Sequence, residues 1–194
     1  MNYFQTSCNF STATPEISEK VNQFVQKNYG LTLSGCCLKS HSFSSEDLIY
    51  YLCQNCRNQL ESITDAQLLS FYLILDEDKN FPWPDYEGHT FFLQDCFRDR
   101  NHLEIHKAVR SILKKMNINV LEIEKNKEKA DFCGTLYFAG ERCIDWDNEK
   151  KITYMKSYCA QFGEIPIITY CNRCRKDIRL ANQSAFHILE LIFR

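Results

Sequence analysis

The chain carries eleven cysteines in 194 residues, and most of them fall into one order written twice. Cys8 is followed by the adjacent pair Cys36-Cys37 and then by Cys53-Gln54-Asn55-Cys56. Cys96 is followed by Cys133-Gly134 and then by Cys171-Asn172-Arg173-Cys174. Each copy runs lone cysteine, middle cysteine or cysteine pair, closing C-x-x-C. Thiolates in sets of four or five are ligands for soft metals, and above all for iron–sulfur clusters. A C-x-x-C turn delivers two sulfurs to one metal atom or to two irons of one cluster, without choosing the metal. Zinc is the plainer alternative. A zinc ribbon, however, sets two such turns roughly 15–20 residues apart, whereas Cys56 and Cys171 are much further apart. The remaining ligands are distant in sequence, so any site must be assembled by the fold.

Composition narrows the classes. With 44% hydrophobic and 25% charged residues the chain is globular rather than disordered. A net charge of −2 without a dense Lys/Arg block argues against a nucleic-acid binder, which needs a concentrated basic face. The segment Met1-Asn2-Tyr3-Phe4-Gln5 has no basic start and no long apolar run, so no signal peptide is expected. Apolar stretches such as Leu68–Leu75 are too short to span a bilayer, and no membrane span is expected. The expectation is a soluble, cytoplasmic protein. In a reducing compartment an odd cysteine count favours metal ligation over a disulfide framework. No G-x-S-x-G, Walker or G-x-G-x-x-G motif occurs, and six glycines are few for a nucleotide site.

The elements that must position the cysteines also repeat. Thr14, Pro15 and Glu16 make a helix start, and Ile17, Val21, Phe24 and Val25 fall on one helical face. The helix stops near Gly30, and a strand over Leu31–Leu33 leads to Cys36. In the second half Ile105, Val109, Ile112, Leu113 and Met116 form the matching face, and a strand over Asn119–Ile123 follows. Leu48–Leu52 and Ile165–Tyr170 read as buried parallel strands entering the two C-x-x-C turns. Each turn is followed by an arginine, Arg57 or Arg175, and then by an apolar segment, Ala66–Leu75 or Ser184–Phe193, that reads as a closing helix. Residues 81–88, with Pro82, Pro84 and Gly88, read as a linker between a first unit at 1–80 and a second at 89–194. The expected fold is α/β, with two similar small parallel-sheet units flanked by helices and related by pseudo-twofold symmetry. Ligand loops would lie at the carboxyl ends of the strands.

Cys8 and Cys96 each precede a helix start, where the positive helix end is expected to lower the thiol pKa. Arg57, Arg98, Arg100, Arg173, Arg175 and Lys176 lie close in sequence to these cysteines, either as cations beside a negative site or as solvated surface charges. Cys159 reads as a buried core cysteine on a helix, and Cys143 as a core thiol or spare ligand. His102 and His106 stand at i, i+4 without the H-E-x-x-H glutamate and read as surface or capping residues. Trp83 and Trp146 read as packing or partner contacts.

The doubled cysteine order resembles the cysteine-rich CCG-domain family, typified by heterodisulfide reductase. That domain also occurs in iron–sulfur subunits of glycolate, lactate and glycerol-3-phosphate oxidising systems. The family pattern is a lone cysteine, Cys-Cys-Gly and a closing C-x-x-C, usually in two tandem copies. The resemblance covers nearly the whole chain, and both copies depart from the pattern. The first has Leu38 where the family has glycine, and a short interval from Cys37 to Cys53. The second has Phe132 where the first cysteine of the pair should stand. The resemblance implies five thiolates, Cys8, Cys36, Cys37, Cys53 and Cys56, around a noncubane [4Fe–4S] cluster linked to disulfide cleavage, with Cys36 and Cys37 catalytic. It implies four, Cys96, Cys133, Cys171 and Cys174, around an ordinary cubane. It implies an iron–sulfur redox protein passing electrons to or from a small thiol or disulfide, fed by a ferredoxin-like or flavin-containing partner. A noncatalytic electron-transfer or scaffold subunit and a structural zinc–thiolate protein are the alternatives.

Overall fold

The computed structural model describes residues 1–37, 42–132, 137–138, 141–143 and 145–194, the side chains of 137, 138 and 141 excepted. The chain divides into two compact units, Met1–Phe81 with Phe193–Arg194, and Pro82–Ile192.

The first unit opens with strand β1 (Asn2–Gln5), a short helix α1 (Cys8–Ala13) and helix α2 (Pro15–Tyr29). Proline fits the first turn of α2, where its missing N–H costs nothing. Thr14 occupies the cap position, but its hydroxyl donates back to the Phe10 carbonyl at 2.9 Å instead of capping. Val21 and Val25 on the inner face are fully buried. Gly30 ends the helix in the left-handed conformation at φ +63°, which glycine adopts without a Cβ penalty. Strand β2 (Thr32–Leu33), strand β3 (Leu48–Tyr51), helix α3 (Gln54–Glu61), strand β4 (Gln67–Ser70) and helix α4 (Phe71–Glu77) complete the unit. All four strands are parallel, in the order β2-β1-β3-β4.

The second unit has strand β5 (Thr90–Gln94), a 3-10 turn at Phe97–Asp99, helix α5 (Leu103–Lys115) and strand β6 (Asn119–Glu122). A two-stranded antiparallel pair, β7 (Tyr137–Phe138) and β8 (Glu141–Arg142), and helix α6 (Asn148–Cys159) follow. Strand β9 (Ile167–Thr169), helix α7 (Asn172–Arg179), strand β10 (Ala185–His187) and helix α8 (Ile188–Ile192) close it. Ile105, Val109, Ile112, Leu113 and Met116 on α5 are all fully buried, as their spacing predicts. The parallel sheet runs β10-β9-β5-β6. Matching β5, β6, β9 and β10 to β1, β2, β3 and β4 gives the same strand order in both units. The fold class is therefore α/β with two small parallel sheets.

Three expectations need correction. The closing segments are not single helices: each begins with an edge strand, β4 or β10, that passes directly into a helix. An apolar run without Gly or Pro cannot be assigned to strand or helix by periodicity alone. The central strands β1 and β5 were not expected, because Asn2–Gln5 and Thr90–Gln94 lack a long apolar run. Finally, residues 82–88 are bonded into the second unit: the Tyr86 hydroxyl donates to the Leu191 carbonyl at 2.8 Å and the Gly88 amide to the Asn117 carbonyl at 2.8 Å.

Candidate functional site

In an open parallel sheet the chain leaves neighbouring strands in opposite directions at one point, and a crevice opens there beyond the strand carboxyl ends. In the first unit that point lies between β1 and β3, since the chain proceeds from β1 to β2 on one side and from β3 to β4 on the other. Cys8 follows β1, Cys36 and Cys37 follow β2, and Cys53 and Cys56 follow β3. All five cysteines of the first copy thus stand at the carboxyl edge of one sheet.

Local structure brings their sulfurs together. Ser7 caps α1, its hydroxyl accepting the Phe10 amide at 3.4 Å, and Cys8 begins that helix. Cys53 occupies the N-cap position of α3 without a side-chain cap bond, with Cys56 one turn further on. Gly35 turns the chain at φ +80°, and its carbonyl accepts the Gln5 side-chain amide. Past this turn the Cys36 thiol is in hydrogen-bond contact with Cys8, and the Cys37 thiol with Cys56. Cys56 also contacts Cys53. Cys37 and Cys56 are buried in a cluster with Ile49, Leu60 and Ala66, while Cys8 is exposed and Cys36 and Cys53 are half-buried. The set therefore has an apolar floor and an open rim.

The electrostatics follow the crowding. Burial and the neighbouring Cys36 thiol raise the Cys8 pKa, so the expected lowering by the helix end is overturned there. The Asn9 amide acts in the lowering direction and is outweighed. Burial likewise pushes Cys37 up, despite a bond from Cys56. Cys56 is pushed far up by its contact with Cys53 and by burial. Several thiols within reach of one another cannot all ionise without a cation among them.

In the second unit Cys96 follows β5 and Cys171 follows β9, again flanking the point where the connections diverge. Cys171 caps α7, and its sulfur accepts from the thiols of Cys174 and Cys96 and from the Cys174 and Arg173 amides, which hold its pKa well below the usual thiol range. Cys96 and Cys174 are fully buried. Cys133 lies outside the described residues. Phe132, just before it, is buried, and its carbonyl accepts the Phe97 amide at 3.1 Å. Asp95 accepts the Lys127 amide at 2.9 Å and pairs with Arg110 at 2.7 Å, tying the loop after β6 to the end of β5. Tyr158 stacks on Phe132, with ring centroids 4.6 Å apart.

Among the described residues no group of three or more His, Cys, Asp or Glu side chains is disposed to hold a metal ion as it stands. The donors are nonetheless thiols drawn from separate loops to one sheet edge in each unit, a donor set suited to soft metals. By tetrahedral zinc–thiolate geometry one zinc wants sulfurs about 3.8 Å apart, and by ligand geometry a [4Fe–4S] group wants them about 6–7 Å apart. Thiols in hydrogen-bond contact are nearer the zinc spacing, and a [4Fe–4S] group would require the paired thiols to move apart.

Several other residues depart from expectation. His106 is buried, not superficial. His102 occupies the cap position of α5 without a side-chain cap bond. Cys159 is buried on α6, where burial pushes its pKa up to about 12. Cys143 is buried. Of the nearby cations, Arg175 alone is buried; Arg57 pairs with Glu61, Arg173 with Asp177, and Arg100 lies over the Phe97 ring. Trp146 packs edge-on to Tyr154 beneath Lys150, and Lys115 lies over Trp83. His187 and Glu190 lie within Ser184–Phe193, a segment that reads as uniform helix, so nothing in the sequence sets them apart.

No protein-family model matches the chain, and no curated protein does. Among solved structures the chain is similar to the periplasmic ribose ABC transporter from Conexibacter woesei DSM 14684, at 9% identity over 93% of this chain and 67% of that one. The TM-score is 0.32, too low for that likeness to bear on function.

Proposed function

We propose that the chain is an iron–sulfur redox protein of the heterodisulfide reductase type, exchanging electrons with a small thiol or disulfide. The observation that supports this most is the gathering of Cys8, Cys36, Cys37, Cys53 and Cys56 at the carboxyl edge of one parallel sheet, with three paired thiol contacts among them. A bound [4Fe–4S] group would supply one-electron steps and an iron accessible to substrate sulfur. Cys8, Cys36, Cys37, Cys53 and Cys56 would hold it in the first unit, and Cys96, Cys133, Cys171 and Cys174 in the second.

The chain's own residues divide the work. The exposed Cys8 and half-buried Cys36 and Cys53 leave the first site open to a small disulfide. The buried Cys37 and Cys56 give it a floor from which water is excluded. In the second unit Cys96 and Cys174 are buried and Cys171 is half-buried, and Cys174 shares an apolar cluster with Phe132 and Tyr158, so this site would suit holding an electron better than meeting substrate. Cleaving a disulfide takes two electrons and two protons and yields two thiols. With no nucleotide motif in the sequence, the electrons would come from a ferredoxin-like or flavin-containing partner.

The test is turnover of small disulfides by anaerobically prepared protein under a low-potential reductant, with Cys36→Ala alongside. Turnover that Cys36→Ala loses, while the second site's spectrum persists, is the expected result. Iron and sulfide without turnover on any disulfide would favour the noncatalytic electron-transfer subunit. A colourless protein holding zinc would favour the structural alternative, for which the close thiol pairs are the supporting observation.

A further inference from the structure

Cys53 and Cys56 belong to one helical turn. Cys53 stands at the N-cap position of α3 and Cys56 three residues on, a spacing that makes side chains neighbours on a helix. Their thiols are in hydrogen-bond contact, and Cys56 makes the same contact with Cys37, which arrives from the end of β2. Exposure orders the three. Cys53 is half-buried, whereas Cys37 and Cys56 are buried with Ile49, Leu60 and Ala66. A small molecule therefore meets Cys53 first and the other two only through it.

Sulfurs that already touch suit a chemistry that needs no metal. A [4Fe–4S] group holds its sulfurs apart, while thiol–disulfide exchange passes a bond directly from one sulfur to the next. A C-x-x-C beside a parallel β–α–β unit, here β3, α3 and β4, is a setting for redox dithiols as well as for metal ligands. Cys8 and Cys36 make a separate contact nearer the surface. Cys53 differs from both in having behind it a buried thiol that itself touches a second buried thiol.

From this series we infer that Cys53, Cys56 and Cys37 form a metal-independent relay that reduces a small disulfide by exchange. The inference concerns the metal-free chain and stands apart from the iron–sulfur reading. Cys53 Sγ, as thiolate, attacks one sulfur of the substrate, the substrate S–S bond breaks, and one half leaves and takes a proton from solvent. Cys56 Sγ gives its proton to solvent, attacks Cys53 Sγ and releases the other half, which is protonated in turn. Two cysteine thiols are thereby oxidised to one disulfide, and one substrate disulfide is reduced to two thiols. Cys37 Sγ then attacks Cys56 Sγ, which moves the bond to Cys37–Cys56 and frees Cys53. A small dithiol in solution returns all three to thiols.

The experiment exposes the reduced full chain, freed of metal by a chelator, to excess glutathione disulfide without oxygen. Samples are quenched with acid over time, and mass spectrometry of the digested, alkylated chain locates each disulfide. Cys56 is expected to enter a disulfide with Cys53 or Cys37. Cys56→Ser is expected to stop after the first step and hold glutathione on Cys53, and Cys53→Ser to lose the oxidation of Cys56 on the same timescale. Cys56 left as a free thiol or joined to any other cysteine would overturn the relay. So would Cys53 without glutathione in Cys56→Ser, or Cys56 oxidised equally fast in Cys53→Ser. Iron and sulfide in the chain as purified decide the iron–sulfur reading and do not alter these outcomes.

Discussion

His106 shows how a single residue can run against the surrounding chemistry. It is 2% exposed, and neither ring nitrogen has a hydrogen-bond partner among the described residues. Burial lowers its pKa below the ordinary histidine value; Asp95 opposes the shift and Arg110 adds to it. The unfolded chain therefore binds a proton more readily than the folded one. The resulting stability is complete above the unfolded pKa and is lost as pH falls through the depressed folded value. Urea unfolding of the native protein should weaken between pH 7 and pH 5, and His106→Leu should flatten that dependence. At pH 7 the same substitution should be neutral or stabilising by about 1 kcal/mol, because it removes an unsatisfied buried polar group. Loss of more than about 2 kcal/mol at pH 7 would show that the imidazole is satisfied in solution. Thiol reactivity gives a second check at this scale. Brief alkylation at pH 8 should modify the exposed Cys8 in metal-free protein and leave Cys159, whose pKa is pushed up to about 12, unmodified.

At the scale of elements, the turn before Cys36 positions the first cysteine set. Gly35 adopts φ +80°, and a Cβ there would meet nothing within 4 Å, so only backbone conformation opposes substitution. Gly35→Ala should cost about 1–2 kcal/mol in thermal or urea unfolding, and Gly35→Asn less, because asparagine tolerates the left-handed region. Arg110 bridges the fully buried Asp95 and the more exposed Glu122 at 2.7 and 2.6 Å. Arg110→Ala would leave Asp95 buried and uncompensated, and should cost about 3–5 kcal/mol. A loss under about 1 kcal/mol would mean that water reaches Asp95. Much at this scale was legible in the sequence. The faces of α2 and α5 and strands β2, β3, β6 and β9 follow from periodicity. The edge strands β4 and β10 were not legible, because three or four residues leading straight into a helix leave no break in the apolar run. The burial of Arg175 was illegible for a related reason: its partner Glu190 lies on α8, fifteen positions away and beyond one of those unseen strands.

For the molecule as a whole, the repeat read from cysteine order is matched by an identical strand order in the two units. Cys8, Cys36, Cys37, Cys53 and Cys56 in the first unit and Cys96, Cys171 and Cys174 in the second lie at the carboxyl edges of their sheets, with Cys96 and Cys174 buried and Cys171 half-buried. Among the described residues no helix is long and apolar enough to cross a membrane. That both sets hold iron and sulfide is the central claim, and elemental analysis of anaerobically purified full-length chain tests it most directly. The account predicts iron and acid-labile sulfide in equal amounts, visible absorption that bleaches on reduction, and loss of part of the iron in Cys56→Ala and of the other part in Cys174→Ala. A colourless protein with zinc, or with no metal, and with both variants indistinguishable from the parent, would contradict it.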